Sequence, residues 1–294
     1  MVLVYTGCPR SDFPATIEQM RSNMEKPQIL LTNDDGIQSP GLWTAASQLS
    51  ELGFVHVVAP RDQYSGAGRS LPNTSDGIIQ SQVMHVNDND WTVYSVGGSP
   101  AQAVLHAVLE ILPSKPDLVV SGINYGENLG TAVTVSGTVG AALEAATLGI
   151  PALAISLETE VEYHLSHSKK VDFSAAGYFA AYFAQLLLQC RLPEDVDVLK
   201  VDIPQDATTE TPWEITRLTH KRYYVPIRPT RNSWDKPTSI DYYIADDPSS
   251  HAVGTDVYAL RIKRVVSVTP LSLDMTSRVD FGELANRLKN QPAP

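Results

Sequence analysis

The feature that most constrains the fold is an alternation of short apolar runs with longer amphipathic runs between about residues 28 and 203. Short apolar runs are typical of buried strands, and longer amphipathic runs are typical of helices that cover a sheet. We therefore expect a parallel sheet with crossover helices. The expected strands are Gln28 to Thr32, Val55 to Ala59, Asp117 to Ser121, Ala152 to Ser156 and Val198 to Ile203.

Four helices are expected between these strands. Two of them follow a serine and a proline, Ser39-Pro40 and Ser99-Pro100, in which the serine is a typical cap and the proline a typical first helical residue. The predicted helices are Pro40 to Leu52, Ala101 to Leu112, Thr138 to Leu148 and Asp172 to Gln189.

The character of the chain changes after Ile203, where prolines, tyrosines and Thr/Ser/Asp clusters interrupt any helical period. Strands are expected at Trp213 to Thr219 and Tyr258 to Pro270, and a terminal helix at Asp280 to Lys289. The stretch from His220 to Asp256 is rich in proline and tyrosine, which favours an extended arm or hairpin over a core element. Such an arm often serves as a substrate lid or as a subunit-exchange element.

Together these patterns predict a Rossmann-like three-layer α/β fold, with a parallel sheet between helices and a C-terminal extended β-hairpin arm. Residues 1–27 are assigned to an N-terminal extension, residues 28–205 to the Rossmann-like catalytic core, and residues 206–294 to the C-terminal strands, the arm and the terminal helix.

Composition narrows the classes of function. The 294 residues carry a net charge of −11, which argues against binding to nucleic acid backbones. No apolar run reaches the roughly 18 residues that a membrane span needs, and the opening residues lack a basic leader, so neither a span nor a signal peptide is expected. Cys8 and Cys190 are the only cysteines, which fits a cytoplasmic location.

Two adjacent carboxylates follow the first expected strand, in the turn Asn33-Asp34-Asp35-Gly36. Open α/β sheets place their ligands at the carboxyl ends of strands, and neighbouring anions repel each other unless a cation, a shared proton or water compensates them. A metal ion that prefers oxygen ligands is the leading candidate, although the same residues also form ordinary turns. Both carboxylates can serve one site only if the backbone bends, which Gly36 permits.

The loop after the second strand contains Ser65-Gly66-Ala67-Gly68-Arg69. Its glycines, hydroxyls and cationic side chains can offer phosphate both backbone donors and charge. It lacks the spacing of a P-loop, and when the loop is taken alone a flexible surface loop is the favoured interpretation.

Two further segments add polar groups to the same expected edge of the sheet. The carbonyl oxygen of Asn124, after the third strand, suits a hard cation. Ser136, Gly137 and Thr138 precede a helix, where free amides form an anion site, although Ser136 and Thr138 can equally be plain helix caps. The scattered histidines, His164 and His167 among them, are assigned no role.

These segments together resemble the SurE family of nucleotidases, and the resemblance extends from residue 28 to about residue 275. The matching motifs are Asn33-Asp34-Asp35-Gly36-Ile37, Ala59-Pro60 with Ser65-Gly66-Ala67-Gly68, Ser121-Gly122-Ile123-Asn124-Tyr125-Gly126, Ser136-Gly137-Thr138-Val139 and Val266-Ser267-Val268-Thr269-Pro270.

The resemblance implies a phosphatase that uses one divalent ion per subunit, Mg²⁺ or Mn²⁺, to hydrolyse nucleoside monophosphates, with both 5′- and 3′-nucleotidase activity. It also implies homodimers or homotetramers formed through the C-terminal arm. The implied metal ligands are Asp34, Asp35, Ser65 and Asn124, of which Asp34, Asp35 and Asn124 are also assigned catalytic roles. The residues assigned to the substrate phosphate are Asn33, Gly66, Arg69, Ser136, Gly137 and Thr138.

The chain departs from the family pattern at three positions. Val135 stands where the family often has His or Tyr, and Arg69 where it often has His. Gln102 replaces an Asp, which puts any role of that Asp in doubt. Arg69 can compensate by binding phosphate with two parallel hydrogen bonds.

Three alternatives stay open at this stage. A covalent phosphatase with an Asp nucleophile is disfavoured, because its second acid comes two residues after the first and here Asp34 and Asp35 are adjacent. A noncatalytic nucleotide or metal sensor, or a phosphatase that acts on other phosphomonoesters or on polyphosphate, would carry many of the same groups. Which residue acts as the base is also left open.

Overall fold

The computed structural model describes residues 26–245, 247 and 250–290. The strands are β1 Gln28–Thr32, β2 Phe54–Pro60, β3 Ile79–Val86, β4 Asn89–Val96, β5 Leu118–Tyr125, β6 Ala152–Leu157, β7 Val198–Ile203, β8 Trp213–Ile215, β9 Tyr224–Pro226, β10 Tyr242–Ile244 and β11 Val266–Leu271. The helices are α1 Pro40–Leu49, α2 Pro100–His106, α3 Gly137–Thr147, α4 Ser174–Gln189 and α5 Phe281–Lys289.

Nine strands form the central sheet in the order β3-β4-β2-β1-β5-β6-β7-β11-β8. The run from β4 to β7 is parallel throughout, while β3 and β11 are antiparallel to their neighbours β4 and β7. β9 and β10 form a separate antiparallel hairpin. The predicted α/β fold class is confirmed, and all five strands expected in the core are present.

Helices cover both faces of the sheet. Ile29 and Leu31 of β1 belong to the hydrophobic cluster that contains Leu42 of α1 and Phe179 of α4. Leu30 belongs to the cluster on the other face, with Val139 of α3. Because successive side chains of a strand point to opposite faces, an uninterrupted apolar run fills both layers, which explains why the parallel strands lack a polar alternation.

The sequence analysis missed the hairpin of β3 and β4. Asn87 and Asp88 join the two strands, and both have left-handed backbones, with φ of 47° and 61°. Two such residues form the tight turn that matches the twist of a hairpin. Most of β3 is exposed, so its sequence lacks the apolar run that identifies a buried strand. The Asn-Asp pair was the available signal.

The predicted strand Tyr258 to Pro270 was wrong over its first half. Tyr258–Lys263 is a wide helical turn, and the strand starts only at Val266. Arg264 ends the turn with a left-handed φ of 55°. The predicted helix Ala101 to Leu112 likewise changes character, since α2 continues after His106 as one wide helical turn.

A buried charged group joins the central sheet to the C-terminal segment. Lys200 of β7 forms ion pairs with Asp202 and Asp256, and all three side chains are fully buried. Asp202 accepts a hydrogen bond of 2.7 Å from the amide of Asn128, and Asp256 one of 2.7 Å from the amide of Gly130. The charges are therefore paired, and they hold the loop after β5 against the sheet.

Glu127 fastens the arm to the same loop. The hydroxyl of Tyr223 donates a 2.6 Å hydrogen bond to Glu127, and the hydroxyl of Tyr224 donates one of 2.7 Å to its backbone carbonyl. Burial raises the pKa of Glu127 to about 7, although the bond from Tyr223 opposes the shift. The other carboxyl oxygen, Oε2, is buried without a hydrogen-bond partner.

In the described part of the chain, no helix is long and apolar enough to cross a membrane. Residues 1–25 of the predicted N-terminal extension, including Cys8, lie outside the described residues. After residue 205, β8 and β11 extend the central sheet, so the C-terminal segment shares its sheet with the predicted core.

The Gly41→Ala variant should be destabilised by about 1 to 3 kcal/mol, because overpacking a filled site costs that much. A Cβ at Gly41 would lie 2.3 Å from the backbone oxygen of Ile123 in β5. Gly282→Ala is the matched control, since Gly282 is also the second residue of its helix and a Cβ there meets only the side chain of Asp280, at 3.1 Å. Urea unfolding of the two variants measures the difference, and equal stabilities would contradict the close contact.

The raised pKa of Glu127 predicts a pH-dependent stability. Between its ordinary value of 4.5 and the folded value of about 7, the folded protein holds a proton that the unfolded chain loses. That stabilisation is present at low pH and is lost as the pH rises through the folded pKa. The Glu127→Gln variant carries no titrating group at this position. Between about pH 5 and pH 8, the free energy of unfolding of the wild type should therefore fall by about 2 kcal/mol relative to that of the variant. Urea unfolding of both proteins tests this, and parallel pH profiles would contradict it.

Candidate functional site

The candidate site is a pocket of about 820 Å³ at the carboxyl edge of the parallel strands. Its inner end is lined by Asp34 after β1, Ser65 after β2, Asn124 at the end of β5 and Ser136 before α3. Four segments that are far apart in the sequence therefore meet at one point. They meet because neighbouring parallel strands end at the same edge of the sheet.

The turn after β1 buries both carboxylates, and of the two only Asp34 is among the residues that line the pocket. Asn33 closes the turn with its own side chain, which donates to the backbone oxygen of Gly36 at 3.0 Å and accepts from the amide of Gly36 at 3.2 Å. Gly36 has a left-handed φ of 90°, so the bend needs a residue without a Cβ. Asp34 and Asp35 are both buried. Asn33, predicted to contact phosphate, has its side chain engaged in this turn.

Asp34 lies against the N-terminus of α3. The hydroxyl of Thr138 donates to Asp34 Oδ1 at 2.5 Å, and the nearby backbone amides of Gly137 and Thr138 also lower the pKa of Asp34. A Cβ at Gly137 would lie 2.7 Å from Asp34 Cβ, so the glycine permits this approach. The start of α3 therefore faces the Asp34 carboxylate, and its binding of phosphate stays a prediction.

Of the three residues that were predicted to hold phosphate at this helix, Ser136 lines the pocket. Its hydroxyl oxygen caps α3 by accepting from the amide of Val139 at 3.1 Å. A hydroxyl that accepts one bond can still donate another, so Ser136 can present its hydrogen to a phosphate oxygen.

Asp35 is held by groups from two other loops. Its Oδ1 accepts from the side chain of Gln63 at 3.1 Å, and its Oδ2 from the amide of Tyr125 at 3.2 Å. Gln63 donates from the same nitrogen to the backbone oxygen of His164 at 2.8 Å. The ring of His167 lies 2.8 Å from the backbone oxygen of Asp35.

Sequence reasoning missed Gln63 and assigned no role to the two histidines. No local pattern marks them, because their contacts join segments about a hundred residues apart. The position of Gln63, two residues before Ser65 in a loop already singled out, was the one available signal.

The electrostatics of the pair favour a cation. Burial raises the pKa of Asp34, and burial together with repulsion from Asp34 raises the pKa of Asp35 well above its ordinary value. Among the described residues, no Lys or Arg forms an ion pair with Asp34 or Asp35. A divalent ion would neutralise both carboxylates and reverse these shifts.

The remaining donors also fit such an ion. Asn124 uses its amide nitrogen for both of its hydrogen bonds, to the backbone oxygens of Tyr125 at 3.2 Å and Gly126 at 2.6 Å, so its carbonyl oxygen is left for a ligand. Ser65 adds an exposed hydroxyl. Two carboxylates with neutral oxygens suit Mg²⁺ or Mn²⁺. The described residues contain no cluster of three or more His, Cys, Asp or Glu side chains with metal-binding geometry, so a thiolate or histidine-rich site is not formed there.

The second loop is fixed against α3. A Cβ at Gly140 would lie 2.3 Å from the backbone oxygen of Gly68, so the loop and the helix touch through their backbones. Gly66 lines the pocket. Arg69, which was predicted to bind phosphate, instead donates to Glu144 of α3 at 2.6 Å and is absent from the pocket lining. Its contact with phosphate stays a prediction that would require this ion pair to open.

The position of Gln102 explains why an amide can replace the family's Asp there. Its side chain accepts from the amide of Ser99 at 3.0 Å and donates to the backbone oxygen of Pro72 at 2.9 Å. The residue completes the cap of α2 and holds the segment after the second loop, so its role in this chain is structural.

Most of the outer end of the pocket comes from segments with no predicted site residue. Its lining there includes His164, Leu165, Arg222, Tyr224, Ile240 and Tyr242. The arm therefore forms one wall of the site, as a substrate lid would, and its tyrosines contact the loop before α4.

Similarity to known proteins extends over most of the chain. The family model described as Survival protein SurE matches residues 29–225. A protein of Thermococcus gammatolerans named 5′-nucleotidase SurE is 45% identical over 263 residues, which cover 89% of this chain and 96% of that protein. One of the same name from Archaeoglobus fulgidus is 43% identical over 258 residues, covering 86% and 94%. The crystal structure of the SurE protein from Aquifex aeolicus superposes with a TM-score of 0.68 at 34% identity, covering 90% of this chain and 98% of that one. The resemblance seen in the motifs is thereby confirmed, and the chain belongs to the SurE family.

Proposed function

We propose that this protein is a divalent-metal-dependent nucleotidase that hydrolyses nucleoside 5′- and 3′-monophosphates to nucleoside and phosphate. The observation that carries the proposal is the buried pair Asp34 and Asp35, of which Asp34 lines the pocket together with the neutral oxygen donors Ser65, Asn124 and Ser136. The relatives named 5′-nucleotidase SurE support the same activity.

Asp34, Asp35, Ser65 and Asn124 would hold Mg²⁺ or Mn²⁺, which supplies positive charge for the phosphoryl oxygens and lowers the pKa of a bound water. The protein's own part is positional. Thr138 and the amides at the start of α3 orient Asp34, while Gln63 and the amide of Tyr125 orient Asp35. Carboxylates that are held in this way need little rearrangement during the reaction.

Ser136 and Gly66 are the groups placed to meet the phosphate. Both line the inner end of the pocket beside Asp34, and Ser136 has a hydrogen free to donate. Donors aimed at the equatorial oxygens stabilise the charge that develops in phosphoryl transfer. The base that accepts the proton of the attacking water is one of the two carboxylates in this proposal.

Replacing either carboxylate by its amide should abolish turnover without unfolding the protein. We expect Asp34→Asn and Asp35→Asn each to lower phosphate release from AMP by at least about 100-fold, because each removes a charge and a ligand from the metal site. Glu51→Gln, at an exposed acid at the end of α1, is the control and should retain wild-type activity.

The assay measures inorganic phosphate from 5′-AMP and 3′-AMP, with Mg²⁺ or Mn²⁺ and after removal of metal with EDTA. Activity that survives EDTA would contradict the metal dependence alone. Binding of AMP with no phosphate release by wild type, with any of the metals, would identify a noncatalytic sensor and contradict the enzyme.

We also propose that the arm associates with a second copy of the chain, giving a homodimer or homotetramer. Trp234, between β9 and β10, is 92% exposed, and Ile227 beside β9 is also exposed. Large apolar side chains of this kind are typical of interfaces.

Trp234→Ser should therefore weaken association. Native mass spectrometry of wild type should give the mass of a dimer or tetramer. The variant should dissociate at protein concentrations at least about fivefold higher, because loss of an aromatic hot-spot residue at an interface costs more than about 1 kcal/mol. Leu109→Ser, at an exposed apolar residue of the turn after α2, is the control. A monomeric wild type would contradict this proposal.

A further inference from the structure

The outer end of the pocket exposes a group of large apolar side chains. Leu165 is 73% exposed, Ile240 67%, Val135 55% and Tyr242 36%, and all four line the same cavity as Asp34. Single exposed apolar residues are ordinary on a protein surface, whereas several around one concave site indicate a ligand. We call these four residues the apolar rim.

The ring of Tyr242 is held in a defined orientation. Its hydroxyl lies 2.8 Å from Nδ1 of His164, and the two rings are stacked with centroids 6.2 Å apart. The ring of Tyr224 meets Tyr242 edge-on at 5.2 Å, and the hydroxyl of Tyr224 is bonded to the backbone of Glu127. An aromatic ring whose rotation is restricted in this way loses little entropy when a flat ligand stacks on it.

The apolar rim is connected to the acidic end of the pocket through one side chain. Gln63 donates both to Asp35 and to the backbone oxygen of His164, and the ring of His164 bonds to Tyr242. Gly126 permits this packing, since a Cβ there would lie 2.5 Å from His164 Nε2. The distance between the two ends is thus set by a short chain of hydrogen bonds.

The size and composition of the cavity fit a ligand with two unlike ends. About 820 Å³ is far more than a phosphate group requires and lies within the range of pockets that hold drug-sized or cofactor-sized ligands. The inner end offers the Asp34 carboxylate and hydroxyls, and the outer end offers the apolar rim with its oriented ring, next to the charged side chains of Arg222 and Asp241. A nucleoside monophosphate has the same polarity, with a phosphate at one end and a flat base at the other.

We propose that the apolar rim is the subsite for the nucleotide base, and that Tyr242 is its main specificity-determining residue through stacking on the base. This inference rests on the proposed function and names the part of the substrate that the arm recognises. Stacking is tolerant of base identity, because every base presents a flat π-face. The rim therefore selects nucleotides over phosphate esters that lack a base, with little preference among bases.

The test compares AMP with ribose 5-phosphate, which keeps the sugar and the phosphate but lacks the base. Tyr242→Ala should lower kcat/KM for AMP by about 5- to 150-fold, mainly through KM, the range found when a stacking aromatic is removed. Its kcat/KM for ribose 5-phosphate should stay at the wild-type value. Leu165→Ser should produce a smaller loss in the same direction, and Tyr242→Phe, which keeps the ring, should retain most of the activity on AMP.

Tyr243→Ala is the matched control, because Tyr243 is the next residue of β10 and is exposed but does not line the pocket. It should leave both substrates unaffected. An equal loss on both substrates for Tyr242→Ala would show that the ring only positions the acidic end, and would overturn the inference. Unchanged activity of Tyr242→Ala on AMP would also overturn the inference. A lower native mass of Tyr242→Ala would overturn it too, because it would identify the apolar rim as a subunit interface. A wild type that hydrolyses neither ester would contradict the proposed function itself.

Discussion

Burial of two adjacent carboxylates is the constraint on which the rest of the structure depends. Asp34 and Asp35 are carried to the end of β1 by an apolar strand, and their burial raises the pKa of both. Leaving such a pair without partners would cost several kcal/mol. The surrounding segments offset that cost with polar groups. The start of α3, with the hydroxyl of Thr138, faces Asp34. The side chain of Gln63 and the amide of Tyr125 donate hydrogen bonds to Asp35. These neutral donors do not cancel the negative charge of the two carboxylates, which a divalent ion would neutralise.

The same loops are held by charges deeper in the protein. The ion pairs of Lys200 lie under the loop that follows β5, and Glu127 in that loop is bonded to the arm through Tyr223. The arm is thus attached to the loop that also presents Asn124 to the pocket. This arrangement connects the part of the site suited to a metal with the part that we propose for the base, and it explains why the outer wall of the pocket comes from a segment about a hundred residues away in the sequence.

Much of the fold was predictable because its signals are local. Apolar runs locate β1 and β7 to the residue, and the Ser-Pro pairs before α1 and α2 mark where those helices start. The hairpin of β3 and β4 was missed because most of β3 is exposed and has no apolar run. Tyr258 to Lys263 was wrongly predicted as strand, since six residues of mixed polarity carry neither a clear helical nor a clear strand period. In the candidate site, Asp34, Ser65, Asn124 and Ser136 were recognisable because each follows a strand or precedes a helix in a characteristic motif.

The sequence by itself determined the α/β fold, the family and the oxygen-rich groups at the carboxyl edge of the sheet, because periodicity, helix caps and short motifs are properties of neighbouring residues. The tertiary structure decided how those groups are used. It placed the amides of Gly137 and Thr138 on Asp34, paired Arg69 with Glu144, and brought Gln63, His164 and Tyr242 into one connected wall. These contacts join segments from different parts of the chain, and such contacts arise from packing of the whole sheet and its helices, which no local pattern records.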